Sequence, residues 1–268
     1  MTRRGTRPTV VELLDDGVLL LTLNRPEARN AFNRQMWTDA RDALADAVAD
    51  NGVRVVVVTG AGQSFTAGQD IKEMSTMDTS NPDSENGFSA FMDVLCAFDK
   101  PLVAAVNGVG VGIGITMLLH CDYVYIAEGA RLRAPFVTLG VVPEAASSFL
   151  FPLVIGWRNA IDLLYESNFI DANKAVALGL ATECCTSAEL LERAMERARQ
   201  LAAKPLGSLR GTKRLLLATR NDQVRAARQR EDAAFIGRIG SPENMEAVMA
   251  FMSRREPDFS NVSPEDKG

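Results

Sequence analysis

The run Leu102-Val-Ala-Ala-Val-Asn-Gly-Val-Gly-Val-Gly-Ile-Gly114 constrains this chain more than any other stretch. Leu102 to Val106 reads as a buried strand, and the sequence then breaks at Asn107-Gly108 into glycines at positions 110, 112 and 114. Alternate glycines leave one side of the backbone bare, so that another group can approach the main chain itself. Ile113 to Leu119 reads as the first turns of a buried helix, which puts free N–H groups at its start. These features predict one of two things. Either the corner is tight and its small residues serve packing alone, or bare backbone and helix start together form a cradle able to hold an oxyanion.

The rest of the chain narrows the setting. Its 268 residues are 47% apolar and 24% charged, which fits one large domain or a domain with a helical appendage. A net charge of −5 argues against a general binder of nucleic acid or membrane surfaces, although a local basic patch could still receive an anion. Cys96, Cys121, Cys184 and Cys185 have no metal-ligand spacing and read as free thiols of a reducing compartment. His120 is the single histidine, so a site built on histidine pairs is excluded, and the residue reads as a half-buried packing group. No apolar run reaches the length of a membrane span, Met1 to Arg7 lacks a signal-peptide core, and Pro264 to Gly268 is not a peroxisomal address. A cytoplasmic protein is expected.

Taken in order, Thr9–Leu14 and Val18–Leu23 flank Asp15-Asp-Gly17 as a β-hairpin. Asn33 is placed to cap a helix running to Asp50, on which Met36, Trp37, Ala40, Leu44, Ala47 and Val48 share a face. Val53 to Thr59 has the continuous apolar character of a parallel strand, followed by the glycine-rich loop Gly60 to Asp70. Ser75 to Gly87 reads as a mobile surface loop, Phe88 to Phe98 as a helix, and Cys121 to Ala127 and Thr182 to Cys185 as strands. After Pro143 the pattern is helical in pieces broken at Pro152, Gly156 and Asn168, and Ser187 to Arg254 is almost continuously helical. An α/β core over residues 1–200 followed by a helical region over 201–268 is the expected organisation.

Four stretches stand in a fixed order: Leu23-Asn-Arg-Pro-Glu-Ala-Arg-Asn-Ala-Phe-Asn33, Val57 to Met74 with its core Ala67-Gly-Gln-Asp-Ile-Lys72, the glycine corner, and Leu139-Gly-Val-Val-Pro-Glu144. Together they resemble the crotonase superfamily, the enoyl-CoA hydratase/isomerase group, from about Val11 to Phe259. The resemblance implies an α/β spiral of ββα units with C-terminal helices used for assembly as a trimer or dimer of trimers. It implies an acyl-CoA substrate, with no cofactor beyond the coenzyme A carried by that substrate and no metal. It also implies a thioester oxyanion hole made by the backbone N–H groups of Gln69 and Ile113. Backbone donors do not depend on side-chain identity, so Gln and Ile can both serve. Arg25, Ala28, Ala67 and Ile71 are implied beside the coenzyme; Asp70 and Lys72 are expected there too, and Lys72, Arg29 and the pair Arg254-Arg255 are the candidate cations for its phosphates. On its own chemistry Asp70 reads as a cap for a short helix starting at Ile71.

Two departures bear on the reaction. The hydratases of this family use two glutamates, and the corresponding positions here are Thr116 and Phe136, neither able to do acid–base work at neutral pH. One carboxylate remains, Glu144 in Val141-Val-Pro-Glu-Ala-Ala-Ser-Ser148, which resembles the catalytic base of the peroxisomal-type enoyl-CoA isomerases. Read locally, Pro143-Glu144 is also an ordinary helix start. Met74, Thr116 and Phe136, with Met77, are the expected lining of an acyl pocket, and Met117 reads as core packing that could reach it. The expected activity is a double-bond shift from 3-enoyl-CoA to 2-trans-enoyl-CoA by one proton-shuttling carboxylate. Isomerisation of a ring-bearing or epoxide CoA thioester, or acyl-CoA binding without catalysis, are the alternatives.

Overall fold

The computed structural model describes residues 9–14, 16–74 and 87–264, and within these the side chains of Val10, Val11, Leu13, Lys72 and Met74 are not described. The expected loop after Ser75, with Met77, lies outside the described residues, as do the side chains of the pocket and coenzyme candidates Met74 and Lys72.

Strands β1 (Thr9–Leu13) and β2 (Val18–Leu23) form the antiparallel hairpin, turned by Gly17 at φ 79°. From β2 the sheet continues in parallel through β3 (Val55–Gly60), then Leu102–Val106, Tyr123–Ala127 and Glu183–Cys185. Every residue of β3 and of Leu102–Val106 is buried, which is why both read as unbroken apolar runs. The helix Leu190–Ala202 packs across the middle strands and so belongs to the same core.

A second, smaller sheet was not visible in the sequence. It joins Ser64–Thr66, Val109–Val111, Arg131–Arg133 and Ile170–Asp171, the first three in parallel. Its strands are too short to show a period. They nonetheless bring the loop after Thr66 against the glycine corner. This architecture is the crotonase-type α/β spiral ending in C-terminal helices.

Helix α1 (Arg34–Ala49) starts where Asn33 Oδ1 accepts the Met36 N–H at 2.9 Å, a cap that contributes about 1 kcal/mol. Its buried face is Met36, Trp37, Ala40, Ala43, Leu44 and Ala47. At its end the fully buried Lys100 ammonium donates to the carbonyls of Ala47, Asp50 and Val53 at 2.6, 2.7 and 2.8 Å. A buried lysine is tolerated because three acceptors replace its water.

Two expectations about the stretch after Pro143 are corrected. The helix there spans Ser147–Ile155, so neither Pro143 nor Glu144 lies in it, and Pro152 sits inside it rather than breaking it. Proline removes one backbone bond, but Leu150, Phe151 and Ile155 are buried in the core and keep the helix in place. Gly156, at φ 79°, does end it. The chain finishes with helices Leu206–Ala218, Asn221–Arg238 and Pro242–Met252. Among the described residues no helix is long and apolar enough to cross a membrane.

Candidate active site

The site is assembled from the loop after Ser64–Thr66, the glycine corner and the segment around Glu144. The first is held by a residue that sequence reasoning did not single out. Asn30 is fully buried with φ 57°, and its Nδ2 donates to Ala61 O and Ser64 O at 2.9 and 2.7 Å. Its own carbonyl accepts the Thr66 hydroxyl at 2.7 Å, and that hydroxyl accepts the Gly68 N–H at 3.1 Å. The Phe32 N–H donates to Gly68 O and the Asp70 N–H to Phe32 O, at 2.7 and 2.9 Å. In such a parallel bridge Gln69, which lies between, turns its N–H to the opposite side. Its side chain is occupied elsewhere, accepting the Trp37 indole N–H at 2.9 Å.

The second N–H comes from the corner. Gly112, at φ 57°, donates to Arg133 O at 3.1 Å, and its carbonyl accepts the N–H groups of Ile115 and Thr116 at 3.0 Å each. That turn starts the short helix Ile113–Thr116 and leaves the Ile113 N–H at its first position. Among the described residues neither the Gln69 nor the Ile113 N–H has an acceptor within the protein. The two segments touch closely: a Cβ on Gly68, where φ is +90°, would stand 2.7 Å from Val111 O, and one on Gly114 would stand 2.9 Å from Thr66 O. Of the two readings of the corner, tight packing is therefore part of the answer, and the two unpaired donors are the other part.

Glu144 lies over this corner. The point where a Gly112 Cβ would stand is 4.0 Å from Glu144 Oε1 and 4.0 Å from Gly68 Cα. A carboxylate oxygen thus shares one small space with the backbone that precedes each free donor. Burial pushes the Glu144 carboxyl up to about 8, and the nearby charges of Glu231 and Asp232 add to that.

Glu144 is followed by two alanines in the left-handed region, Ala145 at φ 61° and Ala146 at φ 59°. Non-glycine residues seldom hold this conformation unless their surroundings impose it. His120 Nε2 lies 2.9 Å from Ala145 O; a carbonyl only accepts, so Nε2 carries the proton. Burial holds this imidazole down to about 4, hence neutral, with Nδ1 3.8 Å from Cys96 Sγ. The Glu231 carboxylate accepts the N–H groups of Ala146 and Ser148 at 2.6 and 2.8 Å. His120, read from sequence as half-buried packing, is instead buried and bonded to the residue after Glu144.

The other candidates fall into two groups. Arg25 donates to Asp70 Oδ2 at 3.2 Å and to Ala31 O at 2.6 Å, so it ties the first motif to the loop. Asp70 is thereby an ion-pair partner of Arg25. Ala28, Ala67 and Ile71 are half-exposed along the same edge, Ala67 bonded to Arg29 O at 2.9 Å, and Arg29 is exposed. Arg255 is paired with Glu246. Thr116 and Phe136 are buried, the Thr116 hydroxyl turned back on Gly112 O at 3.3 Å, and Met117 is part of the apolar core. Asn30, Thr66 and Glu231 were missed. Asn30 carries a turn-forming residue type as its only local signal, and Glu231 carries none.

Comparison with known proteins gives a consistent picture. The sequence profile described as enoyl-CoA hydratase/isomerase matches residues 14–262. Enoyl-CoA delta isomerase 2 of Rattus norvegicus is 32% identical over 245 residues, covering 90% of this chain but only 62% of that protein. The 2,3-dehydroadipyl-CoA hydratase of Escherichia coli is 33% identical over 242 residues, covering 90% of this chain and 94% of that one. A crystal structure of an enoyl-CoA hydratase/isomerase from Pseudoalteromonas atlantica superposes with a TM-score of 0.89 at 37% identity, covering 95% of this chain and 100% of that one.

Proposed function

The chain belongs to the enoyl-CoA hydratase/isomerase family, the crotonase superfamily, and we propose that within it the protein is an isomerase that moves the double bond of a 3-enoyl-CoA to the 2-trans position. One observation carries this reading: the carboxyl group of Glu144 faces the corner that offers the Gln69 and Ile113 N–H groups. The thioester oxygen accepts those two donors. Glu144 as carboxylate takes a proton from C2, and the C2–H electron pair moves into a dienolate whose negative charge rests on that oxygen. The same group, now a carboxylic acid, gives a proton to C4 while the double bond re-forms between C2 and C3. The shift needs no water, no net proton and no second acid.

Hydration asks for more. A water must be positioned, deprotonated at one face and its proton returned at C2, and Thr116 and Phe136 supply neither an acid nor a base for this. A carboxyl raised to about 8 also suits a shuttle, because its two protonation states lie close in free energy near neutral pH. We further propose that the coenzyme lies along Arg25, Ala28, Ala67 and Ile71, and that the protein self-associates as a trimer or dimer of trimers. Exposed Leu153, Trp157, Leu215, Leu216 and Phe251 on the later helices support the assembly.

The test is a paired assay of the purified protein with 3-hexenoyl-CoA and with crotonyl-CoA. Conversion of the first with little hydration of the second is expected. Hydration of crotonyl-CoA as the faster reaction would overturn the reading. Acyl-CoA binding without turnover of either substrate would favour a ring-bearing or epoxide thioester, or a binding protein.

A further inference from the structure

We infer that Glu231, together with His120, is a positioning residue for Glu144: the two lock Ala145 and Ala146 in the left-handed conformation that sets the Glu144 carboxyl over Gly112. This rests on Glu144 being the base. The chain enters the site through Pro143 and must leave it at once to begin the helix Ser147–Ile155. It does so with two successive non-glycine residues at positive φ, at 61° and 59°. Left-handed alanine is unfavourable for an L-residue, because Cβ crowds the carbonyl oxygen. Two in succession would relax, and swing Glu144 away, unless both flanks were fixed. They are fixed from two separate elements. His120, from the turn after Ile113–Thr116, donates to Ala145 O at 2.9 Å. Glu231, from helix Asn221–Arg238, accepts the N–H groups of Ala146 and Ser148 at 2.6 and 2.8 Å.

The choice of a carboxylate is informative. Ser147–Ile155 has no capping side chain of its own, and its residue before the first turn, Ala146, cannot supply one. Glu231 fills that role from 85 residues away in sequence, using both oxygens at once. A charge held at a helix N-terminus is well placed there, and it is also a like charge beside Glu144. Asp232 of the same helix is the other acidic group acting on Glu144, and His120, neutral by burial, adds no charge. The device therefore fixes direction and raises the affinity of Glu144 for its proton together.

The decisive variant is Glu231→Gln, which keeps the length but replaces one acceptor oxygen by an amide that must face an N–H group. Three readouts apply: turnover of 3-hexenoyl-CoA, affinity for unreactive hexanoyl-CoA, and the ¹³C NMR titration of the Glu144 carboxyl, its resonance identified by loss in Glu144→Gln. Turnover should fall about 10- to 100-fold, the range expected when a catalytic group is displaced by up to 1 Å. Hexanoyl-CoA affinity should be retained, and the Glu144 titration should move to lower pH. Should Glu231→Gln fail to fold, Glu231→Asp applies the same test. It keeps the charge but is one methylene too short to reach both N–H groups, so turnover should fall while the titration stays high. Unchanged turnover in a folded variant overturns the positioning role. If Glu144→Gln is itself fully active, the base reading fails instead, and the carboxyl titration still reports whether Glu231 acts on Glu144.

Discussion

His120 Nε2 stands 2.9 Å from the carbonyl of Ala145, so the only histidine of the chain is bonded to the residue that follows the candidate base. Being single, it can be read without assignment. Its ring should stay neutral, with the proton on Nε2, in ¹⁵N spectra recorded from pH 8 down to about 5, because burial holds its pKa down to about 4. A ring titrating near 6.5 would contradict the buried geometry. The same shift has a stability consequence. Between about 6.5 and 4 the unfolded chain binds a proton that the folded one refuses, so stability present above that window is lost as pH falls through it. The loss should approach about 3 kcal/mol, read from urea midpoints at pH 7 and pH 4.5 in the Glu144→Gln background, where the opposite contribution of the Glu144 carboxyl is absent.

Gly68→Ala should damage function out of proportion to its size. The new Cβ would meet Val111 O at 2.7 Å, at a residue with φ +90°, so the loop must move and take the Gln69 N–H with it. Loss of one oxyanion donor lowers turnover about 10²–10³-fold. Gly129→Ala is the control, since nothing lies within 4 Å of its Cβ position. Equal turnover in the two variants would argue that the Gln69 N–H has no part in the reaction.

How much of this was legible without coordinates depends on the range of the forces involved. The strands Val55–Gly60 and Leu102–Val106 are buried throughout, and burial on both faces writes itself into sequence as an apolar run. The Asn33 cap and the Gly17 turn are local chemistry and were equally readable. Ser64–Thr66, Val109–Val111 and Arg131–Arg133 are held by each other across the fold, and three residues carry no period. Read locally, Pro-Glu makes Glu144 a helix-start charge, and only the resemblance of the whole segment marks it as the expected base. The helix is instead capped from a distance by Glu231, which no local pattern could show. The position of Glu144 over the corner is legible only in three dimensions.

Oligomeric state is the next outcome. Leu215 and Leu216 are 75% and 65% exposed, and Trp157 is 69% exposed, on a chain whose core is otherwise well covered. Sedimentation at micromolar concentration should give a trimer or a multiple of it, and Leu215→Asp with Leu216→Asp should weaken it if these residues lie in the interface. A monomeric wild-type protein would remove the proposal.

The pH dependence follows from the Glu144 carboxyl. As a base it must be ionised, so kcat/KM for 3-hexenoyl-CoA should rise with pH and level off above about 8. Glu231→Gln should move this limb to lower pH. A profile flat from pH 6 to 9 would show that the ionisation of Glu144 does not limit the reaction.

The last prediction sets activity against stability in one substitution, Glu144→Gln. The variant keeps the size of the side chain and removes the base, so turnover should fall about 10²–10⁴-fold. Hexanoyl-CoA should still bind, since the proposed oxyanion donors belong to Gln69 and Ile113. Stability should move the other way. The folded-state pKa is about 8 against 4.5 for the free group, so the folded chain holds a proton that the unfolded one releases between these values. This group's contribution to stability is then greatest below about 4.5 and declines as pH rises to 8, by something on the order of 4 kcal/mol. Glutamine has no such charge to bury. Glu144→Gln should therefore match the wild type near pH 5 and unfold at higher urea at pH 8.5, while being almost inactive at both. A helix-start charge would give the reverse, a slightly less stable protein with turnover intact, but Glu144 precedes the first residue of that helix, Ser147. Intact turnover would return the search for the base to the rest of the site, and equal stability at pH 8.5 would show that water reaches the carboxyl more freely than its buried surroundings imply.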